Sequence, residues 1–192
     1  GTSSELSFNV FELGSADLEN RNEIFIGGRV FTKSLKVIEN VSVNGDKTSA
    51  NGVWELAVQK NTNLTLEITK ELDNTKDISS GDALDALRLA VSLPTQAGTK
   101  SAFDYISADF NRDGKVTSSD ALDILKYAVG LPTTEQSEWV FVDTNGDYSG
   151  VSKSNTNYTE GVSIDDLTSD MTVDLTGILI GDVNDSYSGL IV

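Results

Sequence analysis

Two stretches of this chain, DALDALRLAVSLP at residues 82–94 and DALDILKYAVGLP at 120–132, align almost letter for letter at an offset of 38 residues. A copy at fixed spacing means that one supersecondary unit is used twice, and any fold must house both copies. Leu84, Leu87 and Val91 recur at helical spacing, with Ala83 and Ala90 beside them, and Leu122, Leu125 and Val129 repeat the pattern. The spacing predicts a helix in each copy. Each ends at a Leu-Pro pair, Leu93-Pro94 and Leu131-Pro132, because the residue before proline is pushed out of the helical region. SAFDYISAD, just before the second copy, predicts a short helix with Phe103 and Ile106 facing inward.

Before residue 70 the apolar period is two rather than 3.6. LTLEIT alternates Leu64, Leu66 and Ile68 with polar residues, and VWELAV does the same with Trp54, Leu56 and Val58. Further strands are expected over Leu6–Val10, over Ile24–Phe31 and around Val41 and Val43, with turn chemistry in NGD at 44–46 and ANG at 50–52. After Pro132 strand-like runs return in EWVFV and MTVDLTGILIG, separated by a polar surface excursion over 143–163. The expected fold class is therefore α+β. A small antiparallel β-sandwich over 1–70 precedes a module over 71–192 that pairs two loop-helix units with C-terminal strands.

Composition narrows the chemistry. Thirty acids stand against fourteen bases, a net charge of −16, and there is no His and no Cys. The charge argues against nucleic acid and anionic membrane surfaces, and no apolar run is long enough for a membrane span. Thiol and His-based catalysis, ordinary zinc sites and disulfides are excluded. Carboxylate, amide, hydroxyl and carbonyl oxygens remain, and these suit hard cations. Residues 1–20 carry no basic-then-apolar export segment, so a signal is expected outside this stretch.

The oxygens are concentrated in DFNRDGKVTSSD, residues 109–120. A calcium loop draws ligands from positions 1, 3, 5, 7, 9 and 12, with glycine at 6. Counted from Asp109, these are Asp109, Asn111, Asp113, the Lys115 carbonyl, Thr117 and Asp120, with Gly114 at the turn and Val116 at position 8 to anchor the loop. Two carboxylates about 5 Å apart repel by roughly 3 kcal/mol at an effective dielectric near 20. A divalent ion reverses that sign; a solvated acidic turn is the alternative. The same count 38 residues earlier gives Glu71, Asp73, Thr75, the Asp77 carbonyl, Ser79 and Asp82. Here Lys76 replaces the turn glycine, so this copy either binds calcium with altered geometry or only pairs structurally with the better loop.

DTNGDYSG at 143–150 and DVNDSYSG at 182–189 share D-x-N-x-x-Y-S-G. Neither has an acid at its twelfth place, so both read as Asx turns closing strand ends, with a metal turn as the alternative. Trp54 and Trp139 read as core rather than as sugar-stacking platforms. Asp165 and Asp166 are adjacent and do not form a placed catalytic pair for glycoside hydrolysis. The chain is read as no enzyme.

The DxNxDGxVxxxDAxxIL loop with its degenerate duplicate resembles the type I dockerin family over roughly residues 70–132. GRVF…VIENVSVNGDKTSANGVWELAV resembles the carboxypeptidase-regulatory-type β-sandwich. These resemblances imply a calcium-dependent module of a large secreted or surface-displayed bacterial protein such as an adhesin. They also imply docking, either to a cohesin-type partner or to neighbouring modules of the same chain. Carried over residue by residue, the recognition positions are Ser118, Ser119 and Lys126 in the second unit and Arg88 in the first.

Overall fold

The computed structural model describes residues 22–72 and 75–188. The strand expected over Leu6–Val10 lies outside the described residues. Among the described residues there are ten strands: β1 Glu23–Phe31, β2 Ser42–Val43, β3 Asp46–Lys47, β4 Val53–Gln59, β5 Leu64–Leu66, β6 Ile68–Thr69, β7 Trp139–Asp143, β8 Val162–Ile164, β9 Met171–Thr172 and β10 Leu175–Leu179. Three α-helices accompany them: α1 Ser80–Ala90, α2 Ala102–Ala108 and α3 Ser118–Ala128.

The expected fold class does not hold. The architecture is mixed α/β, mostly strand, in three sheets, and neither a free-standing antiparallel sandwich nor a dockerin-like helix pair is present among the described residues. The main sheet runs β4-β1-β10-β7, with β9 also paired to β1. β1 is antiparallel to β4 but parallel to β10, with Val30 opposite Leu175, so the last described strand lies inside the sheet that the first described strand began. Period-two patterning identifies a strand but not its partner. The long connection between β1 and β10 is settled only by what each face buries. β10 is buried at every position and β7 at all but its last, which is why both read as continuous apolar runs rather than alternating ones. The small sheets β3-β2-β6 and β5-β8 flank the main one.

Two expected strands are broken. LTLEIT divides at Glu67, whose backbone N–H and C=O are both taken by Asn44, so β5 and β6 enter different sheets. MTVDLTGILIG divides at Val173-Asp174, where the chain crosses from one half of β1 to the other. Gly28 makes that crossing fit: a Cβ there would sit 2.0 Å from the Val173 carbonyl oxygen, and the neighbouring Asp174 Oδ1 accepts the Arg29 N–H at 2.9 Å. Glycine inside a strand commonly marks such a close backbone approach.

The helices form where the repeat predicts, and the repeat extends to their caps. Ser79 caps α1 and Thr117 caps α3, each in a reciprocal box with an aspartate three residues on, Asp82 or Asp120. Ser92 and Gly130, at matching positions past the C-termini, are both left-handed. Helices α1 and α3 pack on each other, and α2 rests against α1 and β10. The inward faces of α1 and α3 are lined mostly by small or acidic residues, Asp82, Ala83, Asp85 and Ala86 in α1 and Asp120 and Ala121 in α3, with Leu89 and Ile124 as the large apolar residues. The repeated Leu84, Leu87, Val91 and Leu122, Leu125, Val129 stripes face solvent, each residue 40–61% exposed. Trp54 and Trp139 are buried, as their phase predicts.

Replacing Gly28 by Ala forces β1 away from the β9–β10 crossing. The expected loss is roughly 2–3 kcal/mol, of the order for overpacking a fitted interior. It would appear as a lower denaturant midpoint at unchanged slope; a midpoint equal to wild type would contradict the close approach.

Candidate functional site

The loop 109–120 connects α2 to α3 and folds around its own acids. Asp109, at the end of α2, accepts the N–H of Asp113 at 3.2 Å and of Gly114 at 3.0 Å, and the Thr156 hydroxyl. Asn111 Oδ1 accepts the Asp113 N–H at 2.9 Å, and Asp113 Oδ1 accepts the Lys115 N–H at 3.0 Å. Asp120 closes the ring. Its Oδ1 accepts the Asn111 N–H at 3.1 Å, and its Oδ2 accepts both the N–H and the hydroxyl of Thr117 at 2.9 and 3.0 Å. Gly114 has φ +87° and Arg112 φ +57°, the left-handed steps that curl the chain inward. The six predicted residues Asp109, Asn111, Asp113, Lys115, Thr117 and Asp120 are thus gathered in one loop.

The polar excursion over 143–163 has a task here. The Val116 N–H, at position 8, donates to the Lys153 carbonyl at 2.8 Å, and the Thr156 N–H donates to the Gly114 carbonyl at 3.0 Å. The anchor of the loop is this excursion, not the matching stretch around Ile78.

In the first copy the structure divides the predicted set. Glu71 is exposed and takes no part in the bonds around Asp82; Asp73 and the Thr75 side chain lie outside the described residues. Asp77, Ser79 and Asp82 do converge, but on another segment. The Asn184 N–H donates to Asp82 Oδ1 at 3.0 Å, while the N–H and hydroxyl of Ser79 donate to Asp82 Oδ2, each at 2.9 Å. Asp182 accepts the Ser186 N–H at 2.7 Å on Oδ1 and the Tyr187 N–H at 3.0 Å on Oδ2. The Ser186 hydroxyl donates to the Asp77 carbonyl at 2.6 Å.

Five of these bonds repeat those of the second loop, here cut in two. Asp182 stands as Asp109 does, accepting from the fourth and fifth residues on; Asn184 stands as Asn111 does, giving its N–H to the closing aspartate. Ser186 takes the place of Asp113, and Asp77, Ser79 and Asp82 take those of Lys115, Thr117 and Asp120. Asp185, with φ +56°, repeats the left-handed Arg112. Val183 and Ile78 are buried as Phe110 and Val116 are. From sequence, Asp182, Asn184 and Ser186 read as an Asx turn with a metal turn as the alternative, because a count of twelve along the chain finds no closing acid. The signal was present in the DxN of DVNDSYSG, matching the DxN of DFNRDG. The other copy of that motif behaves as an Asx turn, with the Asn145 N–H on Asp143 Oδ1 at 2.8 Å and the Ser149 N–H on Asp147 Oδ1 at 2.9 Å.

Both clusters bury negative charge. Burial pushes the Asp109 carboxyl up, aided by Asp120 and Asp113 despite the Thr156 hydrogen bond. Burial likewise raises Asp82 and pushes Asp182 up to about 7, with Asp82 and Asp185 adding repulsion. Among the described residues, no group of three or more Asp, Glu, His or Cys side chains stands ready as a metal cage. The carboxylates are turned to loop amides, and the rest of each donor set is amide, hydroxyl and carbonyl oxygen.

The predicted recognition residues lie on the helices' outer side. Ser118 and Ser119 are exposed at the start of α3. Lys126 pairs with Asp123 at 2.8 Å, and Arg88 Nε donates to the Pro94 carbonyl at 2.7 Å. No helix among the described residues is long and apolar enough to cross a membrane. Comparison with family models, with curated proteins and with solved structures found no match.

A carboxyl whose folded pKa is raised holds a proton that the unfolded chain has lost, so its contribution to stability falls as pH climbs between the two values. For Asp182 that window runs from 3.8 to about 7. In chelator, unfolding free energy is expected to decline from pH 5 to pH 8, and Asp182→Asn to flatten the decline. Denaturant unfolding at four pH values checks it; a rise over that range would contradict the burial of this charge.

Proposed function

We propose that this chain is a non-catalytic calcium-binding module, with one ion in the loop 109–120 and a second in the divided loop formed by Asp182, Asn184, Ser186, the Asp77 carbonyl, Ser79 and Asp82. The observation that carries the reading is that five hydrogen bonds recur in the two clusters: two onto the first aspartate, and three onto the closing aspartate from the Asn N–H and from the N–H and hydroxyl of Ser or Thr. Each cluster pairs buried carboxylates with neutral oxygens in the pattern that suits a hard cation of six to eight ligands. Asp109, Asp120, Asp82 and Asp182 accept hydrogen bonds only from uncharged N–H and O–H groups, and buried charge without a counter-ion is costly. Calcium suits the site better than magnesium, which dehydrates reluctantly and demands a tight octahedron.

Low ligand charge favours weak binding: the closing acid is Asp in both loops, and Ser186 replaces an acid in the divided one. Sites of that kind suit the calcium-rich exterior of a cell. This supports the wider reading of a secreted or surface-displayed bacterial protein in which calcium gives the module its structure.

A second reading, docking of a protein partner, is favoured by the outward stripes of α1 and α3. Leu84, Leu87, Val91, Leu122, Leu125 and Val129 are all exposed, and contiguous exposed apolar surface commonly marks an interaction site. A cohesin-type partner is the candidate, with Ser118 and Ser119 at the edge of the stripe. Leu125→Glu is expected to abolish capture of immobilised cohesins while leaving the melting temperature within about 2 °C. Absence of capture by wild type in excess calcium would remove this reading.

The calcium reading is tested by thermal unfolding in excess calcium and in chelator. Calcium at 100 times its Kd adds about 2.7 kcal/mol per site, or roughly 5–10 °C for a chain of this size. Asp113→Ala, at an exposed loop position, is expected to remove the share due to the continuous loop. An unchanged wild-type midpoint in chelator would defeat the assignment.

A further inference from the structure

The divided loop is also where three distant parts of the chain meet. Segment 182–187 holds the connection that follows β1: Thr32 Oγ1 donates to Asp185 Oδ2 at 2.8 Å, the Ser34 N–H to the same oxygen at 3.0 Å, Lys33 Nζ to the Val183 carbonyl at 2.8 Å, and Lys36 Nζ to the Asp185 carbonyl. It holds α1 through Asp82 and the Asp77 carbonyl. Its Tyr187 ring meets Trp139, at the head of β7, edge-on with centroids 5.0 Å apart. Lys33 reaches onward to Asp104 in the first turn of α2. The continuous loop, by contrast, is tied to nearby segments, 152–156 and 136–138.

The three acids of this junction repel one another. Asp82, Asp182 and Asp185 are all buried, and every hydrogen bond their carboxylates accept comes from an uncharged group. Lys33 and Lys36 reach the segment through the Val183 and Asp185 carbonyls, and Lys33 also pairs with Asp104, so neither donates to the carboxylates of Asp82, Asp182 or Asp185. Without a cation, repulsion is relieved when the segment leaves. With a divalent ion between Asp82 and Asp182, the same charges hold it down.

Resting on the calcium reading above, we propose that segment 182–187 is a calcium-dependent latch. The ion in the divided loop fastens α1 to the 32–36 connection and to the end of β10. Calcium binding, at a site whose halves Asp77 and Asp182 lie 105 residues apart in the chain, is thereby transmitted through the 32–36 connection to the N-terminal strands. The continuous loop binds its ion without operating the latch.

Amide hydrogen exchange on the whole chain, in excess calcium and in chelator, reads the latch at Ser34, whose N–H is held by Asp185. Its exchange is expected to quicken at least about tenfold in chelator, the signature of a local opening, together with that of Asn184, Ser186 and Tyr187. Asp182→Asn keeps an acceptor of the same shape without the charge. It is expected to bind one calcium ion where wild type binds two by calorimetric titration, and its Ser34 exchange should no longer respond to calcium. Asp113→Ala should lose calcium sensitivity within 109–120 while Ser34 keeps it. Wild type that binds calcium but shows the same Ser34 exchange in both buffers overturns the latch alone, as does a calcium response at Ser34 that survives in Asp182→Asn. No calcium binding by wild type overturns the latch together with the reading on which it rests.

Discussion

One arrangement recurs where this fold is held together: an aspartate in the first turn of a helix that serves two backbones at once. Asp82 caps α1 through Ser79 and with its other oxygen takes the N–H of Asn184. Asp120 caps α3 through Thr117 and takes the N–H of Asn111. Each carboxylate sits at a helix N-terminus, where the helix dipole favours negative charge. Each also fixes the path of a second segment that would otherwise have no reason to stop there. A capping interaction alone is worth about 1 kcal/mol; here it doubles as the point where a loop is closed.

The two closures differ in reach, and that difference shapes the molecule. At Asp120 the residue being held is nine residues upstream, so the closure is local. At Asp82 it lies at the far end of the described chain. Closing that loop ties the last strand to the helices, and β10 in turn lies between β1 and β7. This buried cluster therefore adds to the α2–β10 packing that already joins the helical segment to the sheet. Loop-closure entropy grows slowly with length, so the wide separation is a modest obstacle once local bonds are in place.

The inward faces of the helices explain why so much aliphatic surface is left outside. Alanines and aspartates, with Leu89 and Ile124 as the large apolar residues, occupy the buried positions of α1 and α3. Small residues allow close approach, and the acids are needed at the helix starts. The leucine and valine stripes are displaced outward as a consequence, which gives the docking reading its physical basis.

Local chemistry was legible along the chain. Helical spacing in the two repeats and the DxNxDG turn depend on neighbours within a few residues, and both were placed from sequence alone; the Ser and Thr caps and left-handed ends are equally local but were read only from the structure. The breaks at Glu67 and at Val173-Asp174 were not legible in the sequence, because alternation continues unchanged across them and only Asn44 and Gly28, from elsewhere, divide the strands. Parallel pairing of β1 with β10 and the splitting of a loop between residues 77–82 and 182–186 were decided by tertiary structure. Nothing in a linear count distinguishes a ligand five residues away from its counterpart delivered by the other end of a sheet. Sequence named the donor types; the fold chose which stretches of backbone would bring them together.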